Sequence, residues 1–416
     1  MPSTPKALSG IRVVEIGHAL SAPFTTQILG DFGAEIIKVE RRGGGDLFRS
    51  VAAPFPLDAN GKKLDSSGFL AANRNKKSIT VDFTKPEGQE VVRKLAAAAD
   101  VVVENLKPGD LIRFGLGYEA LAKLNPGLVY ISISGFGQTG PYAKRGGLDG
   151  VFQYMSGLCS ITGEADGPPQ RVGYLAADTT TGMWGVIGVL AALYSRDGVP
   201  PRDGKANAQS RGRGQYIDLS MLESMIATMN TRVEGYLVTG EVPARQGAGT
   251  GSQPSSPVTC SDGLMYLSAS MDTQFPGLCD AIDHPELAKD PRFCDQDGRT
   301  NNADELMKVL NGIFVKRTLR EWFEHLVPRN ILCAPVYNIQ QVLDDPHVKA
   351  RGITTQMQHP TVGKLTVLNN PVRMSVTPPT YAAPPPLLGQ HTDAILREVL
   401  GMKDAEIGAL KQSQAV

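Results

Sequence analysis

Ile11-Arg12-Val13-Val14-Glu15-Ile16-Gly17-His18-Ala19-Leu20-Ser21-Ala22-Pro23 is the stretch whose reading decides the fold. The apolar run Ile11 to Ile16 reads as a buried strand. Ala22 to Phe32 reads as a helix, with Pro23 tolerated near its first turn. Glu35 to Glu40 reads as a second strand and runs into the loop Arg41-Arg42-Gly43-Gly44-Gly45-Asp46. Further on, Ser78 to Phe83 alternates like a strand, and Pro86 opens a helix that reaches about Ala99. Val101 to Glu104 and Leu128 to Ser134 read as two more strands. Strands alternating with helices argue for a parallel sheet flanked by helices.

A long helix is expected from about Thr179 to Arg196. Gly198 to Gly214 is rich in Gly, Pro and basic residues and reads as a linker or insertion. Tyr216 to Leu219 resumes a strand, and Ser220 caps a helix to about Val238. Glu241 to Pro257 is a second loop, followed by short strands and amphipathic helices, of which Asn302 to Val315 is the clearest. Ile331 to Val336 reads as a strand, and Thr392 as the N-cap of a closing helix. The fold class is therefore α/β: a Rossmann-like parallel sheet in a large domain, plus a smaller α+β domain. Residues 1–200 form the first part of the large domain, 201–225 a linker, 226–330 the small domain, and 331–416 a return segment completing the large one.

The composition excludes several classes of function. Lys plus Arg is 42 and Asp plus Glu is 42 in 416 residues, so no general pull towards nucleic acid or an anionic membrane is expected. The five cysteines are scattered and odd in number, which argues against a disulfide framework or zinc site. No His spacing suggests a metal. The start, Met1 to Gly10, has no apolar core of a signal peptide, and no apolar run approaches a membrane span. A cytoplasmic protein is expected.

Five stretches could carry chemistry. The turn Gly17-His18-Ala19 feeds a helix N-terminus, a natural anion or nucleotide site, but the three-glycine dinucleotide fingerprint is absent, which counts against NAD or FAD. Arg41 and Arg42, followed by Gly43-Gly44-Gly45, suit a phosphorylated ribose, since arginine pairs bidentately with phosphate. The basic knot Asn73-Arg74-Asn75-Lys76-Lys77 and the glycine run Gly135-Phe136-Gly137-Gln138-Thr139-Gly140 are further ligand candidates. Each could equally be an ordinary turn or solvated face. Asp178 heads the long apolar helix, where an Asp is an ordinary N-cap and also an anion favoured by the helix dipole. An ionised carboxylate in apolar surroundings is what covalent acyl transfer needs, so both readings hold together.

Taken in order, Leu8-Ser9-Gly10-Ile11-Arg12-Val13-Val14-Glu15, Gly33-Ala34-Glu35-Ile36-Ile37-Lys38-Val39-Glu40, Asn73 to Ser78, Asp100-Val101-Val102-Val103-Glu104-Asn105, Ser134 to Gln138, Gly214-Gln215-Tyr216-Ile217-Asp218 and Leu387-Leu388-Gly389-Gln390-His391-Thr392 resemble one family. They are similar to the class III CoA-transferases, which include formyl-CoA:oxalate and carnitine CoA-transferases. The resemblance implies a catalytic Asp at Asp178. It implies CoA contacts at His18, Ala19, Arg41, Asn75, Lys76, Lys77, Asn105, Leu106, Lys107 and Arg113. It places a mobile active-site loop at Gly247-Ala248-Gly249-Thr250-Gly251, which departs from the unbroken glycine run of formyl-CoA transferase. It further implies an interlocked homodimer, no permanently bound cofactor, and coenzyme A thioesters and small carboxylic acids as substrates. The related α-methylacyl-CoA racemases use a His in a Gly-His-Asp motif, and this chain has Leu148 there, in Gly147-Leu148-Asp149. Transferase is therefore the first reading, racemase the second, and a non-catalytic CoA-binding protein the third. Arg145, Arg171 and Arg245 are candidates to hold an acceptor carboxylate.

Overall fold

The computed structural model describes residues 5–198, 211–249 and 251–416. Residues 201–210 of the expected linker, and Thr250 of the expected loop, lie outside the described residues. The chain forms two compact units. One comprises Met1–Ser156, Gly173–Glu234 and Gly352–Val416; the other comprises Gly157–Val172 and Gly235–Arg351.

The sheet of the first unit contains β1 (Arg12–Ile16), β2 (Glu35–Glu40), β3 (Lys76–Thr80), β4 (Val101–Glu104), β5 (Val129–Ser134) and β6 (Tyr216–Ser220). Their order is β3-β2-β1-β4-β5-β6, and every neighbouring pair is parallel. Every residue of β4 and β5 is buried, as befits central strands of a parallel sheet covered on both faces. The order reverses between β1 and β4, so the carboxyl ends of those two strands flank the crevice where open α/β sheets bind ligands.

Helices cover both faces. On one, α1 (Ser21–Asp31) packs against the 22-residue α5 (Ala176–Asp197). On the other, α2 (Pro86–Ala97) buries Val91, Val92 and Leu95 with Val14, Ile37 and Val102 of the sheet. The chain's end joins that same core through Ile395 and Leu396 of α10 (Thr392–Glu398) and Ile407 and Leu410 of α11 (Asp404–Gln412). Between β4 and α5 lie α3 (Tyr118–Leu124) and α4 (Asp149–Met155). After β6 come α6 (Met221–Thr228) and α7 (Asn230–Thr239).

The second unit is built on β7 (Ser255–Cys260), β8 (Gly263–Ser268) and β9 (Leu332–Pro335), an antiparallel sheet. Its core joins Val258, Met265 and Leu267 to Leu306, Leu310 and Phe314 of α8 (Ala303–Phe314) and Trp322 of α9 (Leu319–Leu326). It extends beyond the expected 226–330 for two reasons. Residues 157–172 bond to the 245–247 segment, through Gly247 N–H to Gly163 O (3.2 Å) and Arg245 Nη2 to Gly167 O (2.7 Å). β9 pairs with β8, which keeps residues 332–335 out of the return segment. The hairpin β10 (Thr354–His359) and β11 (Gly363–Leu368) belongs to the first unit.

Four local expectations change. β3 starts at Lys76, not Ser78. The helix after Ser220 is two helices, α6 and α7, although Ser220 does cap the first by accepting Glu223 N–H (3.3 Å). Thr392 is the first helical residue rather than the cap, and its hydroxyl donates to Gly389 O (2.9 Å). α5 is longer than the expected Thr179–Arg196; by length and composition it could cross a membrane, and more than half of its most apolar window is buried inside the protein.

Candidate active site

The turn after β1 is fastened at each residue. Gly17 O accepts from Lys38 Nζ (3.0 Å). Asn105 brackets His18: its Oδ1 accepts His18 N–H (3.0 Å) and its Nδ2 donates to His18 O (2.9 Å). Ala19 takes a left-handed conformation at φ +62° and donates its N–H to Asp46 Oδ1 (2.9 Å). Such a φ is costly for a residue with a Cβ and persists only where the surroundings enforce it. Gly17 must be glycine, because a Cβ there would stand 2.7 Å from Ala22 Cβ and 3.2 Å from Asn105 Oδ1.

Beneath the turn lies a closed set of buried charges. Glu15 pairs with Lys38 (2.5 Å) and Lys76 (2.8 Å), and Lys38 pairs with Asp46 (2.8 Å). Burial alone would raise the Glu15 pKa, but Lys38 and Lys76 overcome it and hold the carboxyl at about 2. Burial lowers Lys76 to about 8 against the pull of Glu15. Burial, helped by Lys38, also lowers the His18 pKa against Asp46, so its imidazole is neutral at pH 7.

A cavity of about 740 Å³ opens at the carboxyl ends of β1, β2 and β4. It gathers His18, Arg41, Leu106 and Arg113, all singled out from the sequence, with the Gly43–Gly45 loop. Val81 to Thr84, just past β3, also line it; the sequence reading missed them, although their place after a strand that ends beside β2 was the available signal. Arg41 and Arg113 are exposed; Arg113 contacts Asp110 at 3.5 Å and lies over the Phe114 ring, 4.7 Å from its centroid.

The other expected CoA residues part company with this cavity. Lys107 lines a neighbouring cavity of about 740 Å³ whose wall includes Glu104, a carboxyl raised to about 7 by burial. Asn75, Lys76 and Lys77 require a correction. In a parallel sheet, strand starts and strand ends lie on opposite edges; Lys76 and Lys77 open β3 and Asn75 immediately precedes it. Lys76 is fully enclosed, its ammonium donating to Glu15, Asn73 Oδ1 and Pro23 O (2.8–2.9 Å). Asn75 donates to Asp31 and Thr380 O and accepts from the Ala382 and Ala383 N–H groups. Lys77 pairs with Glu35 at the amino end of β2 (2.7 Å).

Asp178 is also placed differently from the expectation. α5 begins at Ala176, so Asp178 sits in the first turn and Leu175 is the N-cap, with no capping side chain. Ser21, at the head of α1, lies close enough to the Asp178 carboxylate for its N–H and hydroxyl to favour the ionised form. Ser21 Oγ also accepts from Asn105 Nδ2 (3.2 Å). His18 lines the cavity, and the Asn105 side chain links His18 to Ser21. Burial, then the charge of Asp149, raises Asp178 to about 6, with Ser21 pulling the other way.

Ser21 reaches Asp178 because α1 and α5 touch backbone to backbone. Thr25 Oγ1 donates to Gly182 O (3.0 Å), and a Cβ on Gly182 would stand 2.9 Å from Phe24 Cδ1. Neither Ser21 nor the small residues of α5 had a sequence signal beyond composition.

Of the expected loop, Gly247 and Gly251 have φ of +65° and +87°, conformations that favour glycine. A Cβ on Gly249 would stand 2.5 Å from Ser256 Oγ. Ala248 is exposed. Arg245 spends its donors on Glu164 O and Gly167 O, whereas Arg145 and Arg171 are exposed. Leu148, at the position of the racemase His, is 80% exposed and carries no proton.

The family profile described as CoA-transferase family III matches residues 8–392. The chain is 36% identical to the human succinyl-CoA:glutarate CoA-transferase, over 99% of this chain and 90% of that one. It is 37% identical to the succinate–glutarate CoA-transferase of Agrobacterium fabrum, over 96% and 97% of the two chains. The crystal structure of a CAIB/BAIF family protein from Brucella suis superposes with a TM-score of 0.84 at 36% identity, covering 95% of this chain and all of that one. A switch-point cavity bordered by arginines and likeness along nearly the whole length lead to one assignment: the chain is a CoA-transferase and belongs to CoA-transferase family III.

Proposed function

We propose that this enzyme moves CoA from succinyl-CoA to a short dicarboxylic acid of the glutarate type, with Asp178 carrying first the acyl group and then CoA. The observation that carries the reading is the Asp178 carboxylate, set in the first turn of α5 and desolvated so that its pKa stands near 6. At pH 7 such a group is ionised in about ten molecules of eleven, yet more basic, and so more nucleophilic, than an ordinary carboxylate. The names of the relatives supply succinyl-CoA and glutarate.

The steps balance without an added reagent. An Asp178 oxygen attacks the thioester carbon, the carbon–sulfur bond breaks, and CoA leaves as thiolate, giving a mixed anhydride. The thiolate attacks the aspartyl carbonyl and expels succinate, giving an aspartyl-CoA thioester. The acceptor carboxylate attacks that thioester and releases the thiolate, which then attacks the acceptor's carbonyl in the new anhydride. The acceptor leaves as its CoA thioester and Asp178 returns as carboxylate. His18, Arg41, Leu106 and Arg113 hold the nucleotide end in this reading, which suits the cavity at the switch point. Exposed Arg145, in the same unit as Asp178, receives the distal carboxylate of the acceptor in this reading.

Two copies of the chain form the working enzyme in this reading, in the cytoplasm. Trp184, Ile187 and Tyr194 leave an exposed apolar stripe along α5 (39, 55 and 68% exposed), which suits a protein partner of the same sequence.

The test is a panel of acyl-CoA donors against small mono- and dicarboxylic acids, read by mass spectrometry. Succinyl-CoA with glutarate, or a close homologue, should turn over fastest. Hydroxylamine added with donor alone should leave a hydroxamate on Asp178. Turnover by Asp178→Ala at the wild-type rate would sink the nucleophile assignment.

A further inference from the structure

Asp149 is buried at the start of α4 (5% exposed). Its Oδ1 accepts the Ala177 N–H at 2.7 Å and its Oδ2 accepts Gln153 Nε2 at 2.6 Å. Gln153 Nε2 also donates to Tyr174 O (3.1 Å). One carboxylate and one amide thus tie α4 to the segment that enters α5. The N–H groups of a helix's first turn have no partner within the helix and are ordinarily taken by its own cap. Leu175 has no capping side chain, and Asp149 takes one of those N–H groups from another element. Ala177 immediately precedes Asp178, so the clamp acts on the backbone that aims the nucleophile.

Capping alone would not need a charge, since an asparagine oxygen accepts equally well. The charge acts on Asp178: after burial, Asp149 is the next cause of its raised pKa. Of the elements packed on α5, α1 offers Asp178 the Ser21 hydroxyl and N–H, and α4 offers Asp149. Among the described residues, α6, β5 and β6 contribute no charged group to its ionisation.

We propose that Asp149 is a positioning residue for Asp178, bracing the first turn of α5 through the Ala177 N–H and setting a like charge beside the attacking carboxylate. The inference rests on the reading of Asp178 as nucleophile. A carboxylate kept basic by a neighbour gains reactivity without losing its ionised form at neutral pH.

The experiment compares wild type, Asp149→Asn and Asp149→Glu in full-length protein. It records kcat and KM from pH 4.5 to 8.5 with succinyl-CoA and glutarate, together with hydroxylamine trapping on donor alone. Asp149→Asn can keep the bond from the Ala177 N–H but loses the charge and the bond accepted from Gln153 Nε2, so the shift of the acid limb, rather than kcat alone, reads the charge. Its acid limb should move down by about 0.5–1 pH unit and its kcat fall about 3–10-fold, with KM for the thioester within about twofold. Asp149→Glu restores the charge and should return the acid limb towards wild type, which a purely structural role would not do. An Asp149→Asn profile superimposable on wild type overturns the proposal while the hydroxamate on Asp178 still stands. Wild-type trapping with no label on Asp178 overturns the underlying reading and this one together.

Discussion

Gly185 of α5 lies so close to Thr25 of α1 that a Cβ on the glycine would stand 2.7 Å from Thr25 Oγ1. Thr25 is fully buried and already bonded to Ser21 O (2.9 Å) and Gly182 O (3.0 Å), so it has nowhere to turn. Alanine at 185 would gain about 1 kcal/mol of helix propensity but overpack the contact by about 1–3 kcal/mol. Gly185→Ala should therefore be neutral to about 2 kcal/mol less stable in urea unfolding. Because α1 carries Ser21, kcat should fall with it; unchanged stability and kcat would show that the two helices have slack.

Asp178→Asn separates chemistry from stability. With Asp178 as the proposed nucleophile, its removal should cost at least about three orders of magnitude in kcat. The Asp178 pKa is raised on folding to about 6 from 3.8. Between those two values the folded state holds the extra proton, so the group favours folding at low pH and opposes it as pH rises through 6. The variant should be more stable than wild type at pH 8, by on the order of 1–3 kcal/mol, and should lose that advantage below about pH 4. A wild-type thermal midpoint at pH 8 equal to that of the variant would contradict the raised pKa.

The pH dependence of kcat/KM should follow the same carboxyl. Activity should rise with pH through about 6 and then level, because only the ionised form attacks. An acid limb centred near 4 would mean that Asp178 is not desolvated during turnover.

Arg113→Ala and Lys76→Met should fail in opposite ways. Arg113 lines the cavity and has an open side chain, so its loss should raise KM for the acyl-CoA about 5–30-fold with kcat nearly intact. Lys76 never reaches that cavity, and its loss takes one of the two cations paired with buried Glu15, at a cost of about 3–5 kcal/mol in stability. Titration of CoA by calorimetry and urea unfolding distinguish the two; a Lys76→Met protein of normal stability with weakened CoA binding would restore the expectation drawn from the sequence.

Strand and helix positions were readable where the chemistry of one segment suffices. β2 is found at Glu35–Glu40 as expected, because an apolar run ended by glycines has few alternatives. Asp178 was conspicuous as an acid at the head of an apolar helix, yet its helical register was not, because the N–H group that would mark the cap is taken by Asp149, 28 residues earlier. The cluster Asn75-Lys76-Lys77 looked like a phosphate site because sequence counts charges but not directions. Only the parallel register Ile36↔Lys76 places it on the edge away from the cavity, and only the fold brings Glu15 to meet Lys76. Ser21 and Gly185 are unremarkable in sequence and acquire meaning from a helix contact formed across more than 150 residues.

The buried Glu15, Lys38 and Asp46 have a bearing on efforts to make this protein withstand heat. Interior ion pairs of this kind can often be exchanged for aliphatic residues with a gain in melting temperature. Here the exchange would release Gly17 O and the Ala19 N–H from their partners. Ala19 would relax from its strained conformation, and Ser21, two residues along, would lose its fixed address. Selection for thermal tolerance at these positions alone should enrich robust proteins that turn over slowly, an exchange of rate for ruggedness made at a distance from the reacting atoms.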